Sequence, residues 1–197
     1  MGEKRQARQG AEVLLQEEPL RFQTRKQVGL LGGNFNPVHL AHLVMADQVQ
    51  NQLGLDKVYL MPTYLPPHVD EKKTISSEHR LAMLELAVSD NPCLDIEPIE
   101  LIRKGKSYTY DTMKALKEAN PDTDYYFIIG GDMVEYLPKW HRIDELLHLV
   151  QFVGIRRPNY PTESTYPIIW VDVPQMAISS TLIRQKVKSG CSTRYRS

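Results

Sequence analysis

Two histidines three residues apart, His39 and His42, follow the turn Gly32-Gly33-Asn34-Phe35-Asn36-Pro37 and stand where a helix begins. At that spacing both fall on one helix face and can meet the same ligand. Glycines ahead of a helix let backbone N–H groups approach a phosphate, and the helix N-terminus adds a partial positive charge. Binding of a phosphorylated ligand is the chemistry this supports. Other readings fit the same residues: a glycine pair is often only a tight turn, and two histidines bind a metal when a third donor joins them. The nearest candidate donors lie far off in sequence. No GK[ST] is present, so this is not a P-loop, and the lack of GxGxxG disfavours a dinucleotide fold of the dehydrogenase type.

A second segment, Ile178-Ser179-Ser180-Thr181-Leu182-Ile183-Arg184, places three hydroxyls at another helix start with a guanidinium one turn further in. Capping alone explains Ser179 or Ser180. The same set can also cradle phosphates with hydroxyls, amides and Arg184.

Around these segments short β-like runs alternate with helix-like windows. Val28–Leu31 reads as a strand running into Gly32-Gly33, and 40–53 as a helix closed by Gly54, a natural C-cap. Val58–Met61 is the next strand, followed by a proline-rich loop from Pro62 to Val69. A helix opens at Ser77-Glu78-His79-Arg80, with Leu81, Leu84, Ala87 and Val88 on its apolar face, and closes at Asn91-Pro92. Asp111–Ala119 is read as a helix after the loop from Lys104 to Thr109. Tyr125–Ile129 is the strongest strand and ends in Gly130-Gly131-Asp132; Asp132 could cap the helix that follows. Phe152–Ile155 and Ile168–Val173 complete the strands, and the last helix runs from Ser179-Ser180-Thr181 to about Lys188. This alternation predicts an α/β fold, an open parallel sheet with helices on both faces. Ligands of such sheets bind at the carboxyl ends of the strands.

The 197 residues are enough for one domain with a sizeable core. Twenty-four basic residues balance 24 acidic ones, which argues against nucleic acid or an anionic membrane as the partner. Cys93 and Cys191 form no CxxC pair, a usage that suits a reducing compartment. No apolar run approaches the roughly 20 residues of a membrane span, and residues 1–25 form a polar extension without the pattern of a signal peptide. The expectation is a cytoplasmic protein.

HxxH after a glycine-rich turn, with a late ISSTxIR, resembles the nucleotidyltransferase superfamily of the HxGH type. Three further stretches narrow the resemblance: Gly105-Lys106-Ser107-Tyr108-Thr109-Tyr110-Asp111-Thr112, Ile129-Gly130-Gly131-Asp132-Met133 with Leu137-Pro138-Lys139-Trp140, and Pro62–His68. Together they are similar to nicotinate-nucleotide adenylyltransferases, in order, from Lys26 to Arg184. Departures from that pattern are Asn34 and Asn36 where Thr and Asp are usual, Ala41 for the Gly of HxGH, and Val69 where a lysine is expected. The family chain also usually continues with a further helix past Arg194-Tyr195, whereas this sequence stops at Ser197.

The resemblance implies a Rossmann-like domain of the nucleotidyltransferase type over residues 26–197, and AMP transfer from ATP to nicotinate mononucleotide. It implies catalytic roles for His39, His42 and Arg184. ATP would lie against Gly32, Gly33, Asn34, Phe35, His39, His42, Ile178, Ser179, Ser180, Thr181 and Arg184. The mononucleotide would lie against His68, Tyr108, Thr109, Asp132, Tyr136, Lys139 and Trp140, with Trp140 stacked on the pyridine ring and Thr109 near the carboxylate. A core or surface tryptophan is the competing reading of Trp140. Mg²⁺ would accompany ATP and be held by its phosphates, with no protein metal site; a homodimer is possible. Alternatives are an amidated or phosphopantetheine acceptor, and a nucleotide sensor that has lost turnover.

Overall fold

Among the described residues six strands form one sheet in which every pairing is parallel, in the order β3-β2-β1-β4-β5-β6. They are β1 (Lys26–Gly33), β2 (Lys57–Pro62), β3 (Leu94–Ile96), β4 (Thr123–Gly130), β5 (Val150–Ile155) and β6 (Ile168–Val171). The computed structural model describes residues 25–65, 74–156 and 163–194. The helices are α1 (Leu40–Leu53), α2 (Ser77–Val88), α3 (Ile99–Arg103), α4 (Thr109–Ala119), α5 (Gly131–Val134), α6 (Ile143–Leu146) and α7 (Ser180–Lys188). A 3-10 turn spans Leu137–Lys139.

Period-two alternation along the strands sends neighbouring residues to opposite faces. Leu30, Phe127 and Phe152 face a core closed by Tyr110, Met113 and Leu116 of α4. Leu31, Ile128 and Val153 face a second core closed by Ala46 and Val49 of α1 and Leu84 of α2. Both faces are therefore covered, as the continuous apolar strands require.

The expected elements are present with shifted limits. Gly54 caps α1 at φ 63°, the left-handed conformation that glycine adopts without steric cost. α4 begins at Thr109, two residues before the expected start, and β6 stops at Val171 rather than Val173. Asp132 does not cap α5; Gly130 holds the N-cap position and Asp132 lies inside the first turn. β3, α3 and α6 were not anticipated, being three to five residues long.

The strand order reverses direction at β1, which has β2 on one side and β4 on the other. At such a point the loops leave the carboxyl edge toward opposite faces and open a crevice. The order is that of dinucleotide-binding sheets, although the loop after β1 lacks their glycine fingerprint. No helix among the described residues is long and apolar enough to cross a membrane.

Candidate active site

The loop after β1 turns directly into α1. Gly32 and Gly33 end the strand beside aromatic rings: a Cβ on Gly33 would stand 3.0 Å from the Phe35 ring, and one on Gly32 would stand 3.2 Å from that of Phe127. A side chain at either position would therefore press on a ring that has to give by a few tenths of an ångström. Phe35 is buried with φ 45°, and its ring meets His42 edge-on at 5.0 Å.

His39 is the N-cap of α1 and His42 its third residue. Their rings stack, 3.7 Å between centroids at 24°. The His39 backbone N–H donates to His42 Nδ1 at 3.2 Å, which leaves the neutral His42 imidazole with its proton on Nε2. Burial and the neighbouring His39 pull the His42 pKa down from 6.5 to about 3. Burial also lowers that of His39, against a smaller opposing effect of its own backbone. Both rings are therefore neutral near pH 7, and His42 offers an N–H donor. That geometry suits an anion better than a metal, for which Nε2 would have to lose its proton. Among the described residues no group of three or more His, Cys, Asp or Glu side chains could hold a metal ion.

α7 is fastened to this loop across 143 residues of sequence: Ser180 Oγ donates to the Pro37 carbonyl at 2.8 Å. Arg184 Nη1 donates to the Asn36 carbonyl at 2.5 Å, and its Nη2 to Thr181 Oγ1 at 3.1 Å. Ser179 Oγ accepts the Leu182 N–H at 3.2 Å and so caps α7. The β1–α1 loop and the start of α7 thus meet at one edge of the sheet, Arg184 stands exposed there, and Ile178 leads into the cap.

The loop after β2 extends the site. Thr63 donates its backbone N–H to the Gly33 carbonyl at 2.9 Å. Tyr64 N–H donates to Ser107 Oγ at 3.1 Å and Ser107 N–H to the Leu65 carbonyl at 3.0 Å, tying β2 to the start of α4. Tyr108 is the N-cap of α4 and makes no side-chain cap bond. Thr109 takes the first helical position, where backbone N–H groups have no partner within the helix. His141 lies on Tyr108, 4.7 Å between rings.

Trp140 is half-buried, its ring in T-shaped contact with Phe127 and Phe152 at 5.9 Å each. It is a core-anchored tryptophan with part of its surface open. Tyr136 is exposed, with Lys139 Nζ 5.4 Å above its ring. Asp132 is half-buried at the end of β4. His68 lies outside the described residues.

Residue types alone did not expose three members of this neighbourhood. Arg80 on α2 is fully buried beneath Asn34, Glu100 is buried behind α4 with Thr112 Oγ1 donating to its Oε1 at 2.9 Å, and His141 covers Tyr108. Arg80 carried a signal: it lies one turn before Leu84 on the stripe that faces the sheet.

The arrangement matches known proteins. The cytidylyltransferase-like family profile matches residues 30–186. A protein of Enterococcus faecalis named "Probable nicotinate-nucleotide adenylyltransferase" is 98% identical over 99% of this chain and 89% of its own length. One of the same name from Streptococcus pneumoniae is 65% identical over 88% of this chain and 83% of its own. The chain belongs to the nicotinate-nucleotide adenylyltransferase family. A solved nicotinic acid mononucleotide adenylyltransferase of Plasmodium falciparum, complexed with NaAD, superposes with a TM-score of 0.70 at 18% identity. It covers 85% of this chain and 87% of its own, and at that identity the likeness speaks for the nucleotidyltransferase fold alone.

Proposed function

We propose that this chain transfers AMP from ATP to nicotinate mononucleotide, giving nicotinate adenine dinucleotide and pyrophosphate. The observation that carries the reading is the convergence at the switch point. The β1–α1 loop, the N-terminus of α7, the β2 loop and the start of α4 are tied edge to edge, and Trp140 stands one residue before the His141 that covers Tyr108.

In the reaction a 5′-phosphate oxygen of the mononucleotide attacks the α-phosphorus of ATP. The bond from the α-phosphorus to the α,β-bridging oxygen breaks, and pyrophosphate takes the electron pair. No protein nucleophile is required, so positioning and stabilisation of charge do the catalysis. His42 Nε2–H is assigned to the α-phosphate, with His39 stacked behind it to fix its plane. Arg184 supplies the permanent positive charge, and Ser180 and Thr181 place it against the loop. The β- and γ-phosphates are assigned to the α7 N-terminus with Gly32, Gly33 and Asn34. Mg²⁺ is expected to arrive with ATP and to keep mostly water ligands, since it sheds water reluctantly, and it would neutralise phosphate charge.

For the acceptor, the open N–H groups around Thr109 suit the nicotinate carboxylate, and the exposed part of Trp140 suits the pyridine ring. Asp132 is assigned to a ribose hydroxyl, with Tyr136 and Lys139 lining the approach. We assign the reaction to the cytoplasm and the catalytic unit to residues 26–197; association as a homodimer is compatible with this assignment.

The test is pyrophosphate release with ATP and Mg²⁺, comparing nicotinate mononucleotide with its amide. A rate strongly favouring the acid is expected. Equal rates would overturn the role of the α4 N-terminus, and release with neither would overturn the activity.

A further inference from the structure

Arg80 is among the bulkiest fully buried side chains, with 1% of its surface exposed, and the transfer reaction as assigned makes no use of it. It sits in the first turn of α2, and its guanidinium reaches the loops after β1 and β2. Nη1 donates to the Asn34 carbonyl at 2.9 Å and to the Thr63 carbonyl at 2.8 Å, and lies 3.4 Å from Asn34 Oδ1. Nη2 donates to Ser77 Oγ at 3.3 Å, and Nε is buried without a partner. Every acceptor is neutral, and none of the ion pairs among the described residues includes Arg80.

A buried charge is expensive unless an opposite charge answers it. Burial does lower the Arg80 pKa, but a guanidinium keeps its proton in proteins. Within the described residues, then, the charge faces neutral oxygens on the two loops that border the phosphate-binding turn. A polyphosphate bound in that turn would answer this charge. The fork also joins the loops: one nitrogen bonds both Asn34 and Thr63, beside the Thr63 N–H bond to Gly33.

We propose that Arg80 is a positioning residue for the ATP triphosphate, fixing Asn34 against Thr63 and setting behind the β1–α1 loop a positive charge that no described residue answers. This rests on the reading of that loop as the ATP site. Unlike Arg184, which can touch the nucleotide, Arg80 acts through Asn34 and through its field.

The experiment measures the Kd of Mg-ATP by calorimetry in the full chain, together with KM for each substrate and kcat, for wild type, R80M and R80K. R80M removes charge and fork at similar volume, and about a tenfold weaker Kd for ATP is expected, the scale of one lost charge-assisted contact set. R80K keeps the charge without the fork, and an intermediate loss of about threefold is expected. The KM for the mononucleotide stays within about twofold in both, since the α4 side of the site does not touch Arg80. Unchanged ATP affinity in R80M, or equal weakening toward both substrates, overturns the proposal. Thermal melts check folding, and if R80M does not fold, R80K decides. A loss confined to ATP supports the proposal, whereas wild-type ATP affinity or an equal loss of both substrates overturns it. Wild type that binds no ATP would instead overturn the reading of the loop, a result separate from an indifferent R80M.

Discussion

His42, assigned above to the α-phosphate, is held in a state unusual for that role. Stacked on His39 and accepting a backbone N–H, it is neutral and presents Nε2–H, so it contributes a fixed dipole and leaves cationic charge to arginine. Its replacement by alanine is expected to lower turnover by at least about a hundredfold, the scale of losing one preorganised donor to developing charge. A near-normal rate would remove His42 from the chemistry. The same depressed pKa, about 3 against 6.5, makes stability depend on pH. Between those values the unfolded chain binds a proton that the folded chain does not, so stability falls as pH drops through the window. Burial raises the pKa values of Glu97 and Glu100, which act in the opposite sense, so the difference between variants is the useful quantity. From pH 7.5 to 4.5 the wild-type Tm should fall more steeply than that of His42→Gln; parallel curves would contradict the buried neutral ring. Trp140 packs against the core and is also assigned to the pyridine ring. Trp140→Ala should raise the mononucleotide KM while leaving that of ATP, and its lost contacts with Phe127 and Phe152 should cost about 2 kcal/mol of stability. An ATP KM that rises instead would reverse the ring assignment.

At the scale of elements, the site depends on α7 being held against a loop that the chain left 143 residues earlier. Ser180→Ala removes the bond to the Pro37 carbonyl, a loss of about 1 kcal/mol and a Tm lower by about 2–4 °C. The KM for ATP should rise with it and that for the mononucleotide should not. A variant that loses stability without any change toward ATP would make the bond structural only. What was legible in the sequence follows the same logic. α1 and α7 were readable because their ends carry local chemistry, Gly54 at one and Ser179 at the other. α4 was read two residues late because its N-cap, Tyr108, has no capping side chain. β3 was unreadable because three residues pair with β2 only once the sheet exists. The residue types of the β1–α1 loop and the α7 start singled those segments out in the sequence, and the structure joins them by hydrogen bonds, whereas Arg80 stood out only through its place one turn from Leu84, which puts it on the buried face.

Over the whole molecule, the parallel sheet separates an edge that works from an edge that anchors. Strand β1 runs from Lys26 to Gly33, so its ends stand roughly 23 Å apart at the usual rise per residue. At the amino end, Arg25 Nε donates to Asp124 Oδ1 at 2.9 Å and Nη2 to the Pro121 carbonyl at 2.7 Å, while Lys26 pairs with Thr123 at the start of β4. At the carboxyl end, Gly33 leads straight into the turn before His39. The residues ahead of Arg25 thus join the domain at the edge remote from the assigned chemistry, and both anchoring contacts of Arg25 survive their removal. Deleting residues 1–24 should leave kcat and both KM values within about twofold, because the backbone bonds that build the site are untouched. Steady-state kinetics paired with a thermal melt decides the matter: a truncated chain that melts like the full one yet turns over poorly would mean that the extension reaches the opposite edge and takes part in the reaction.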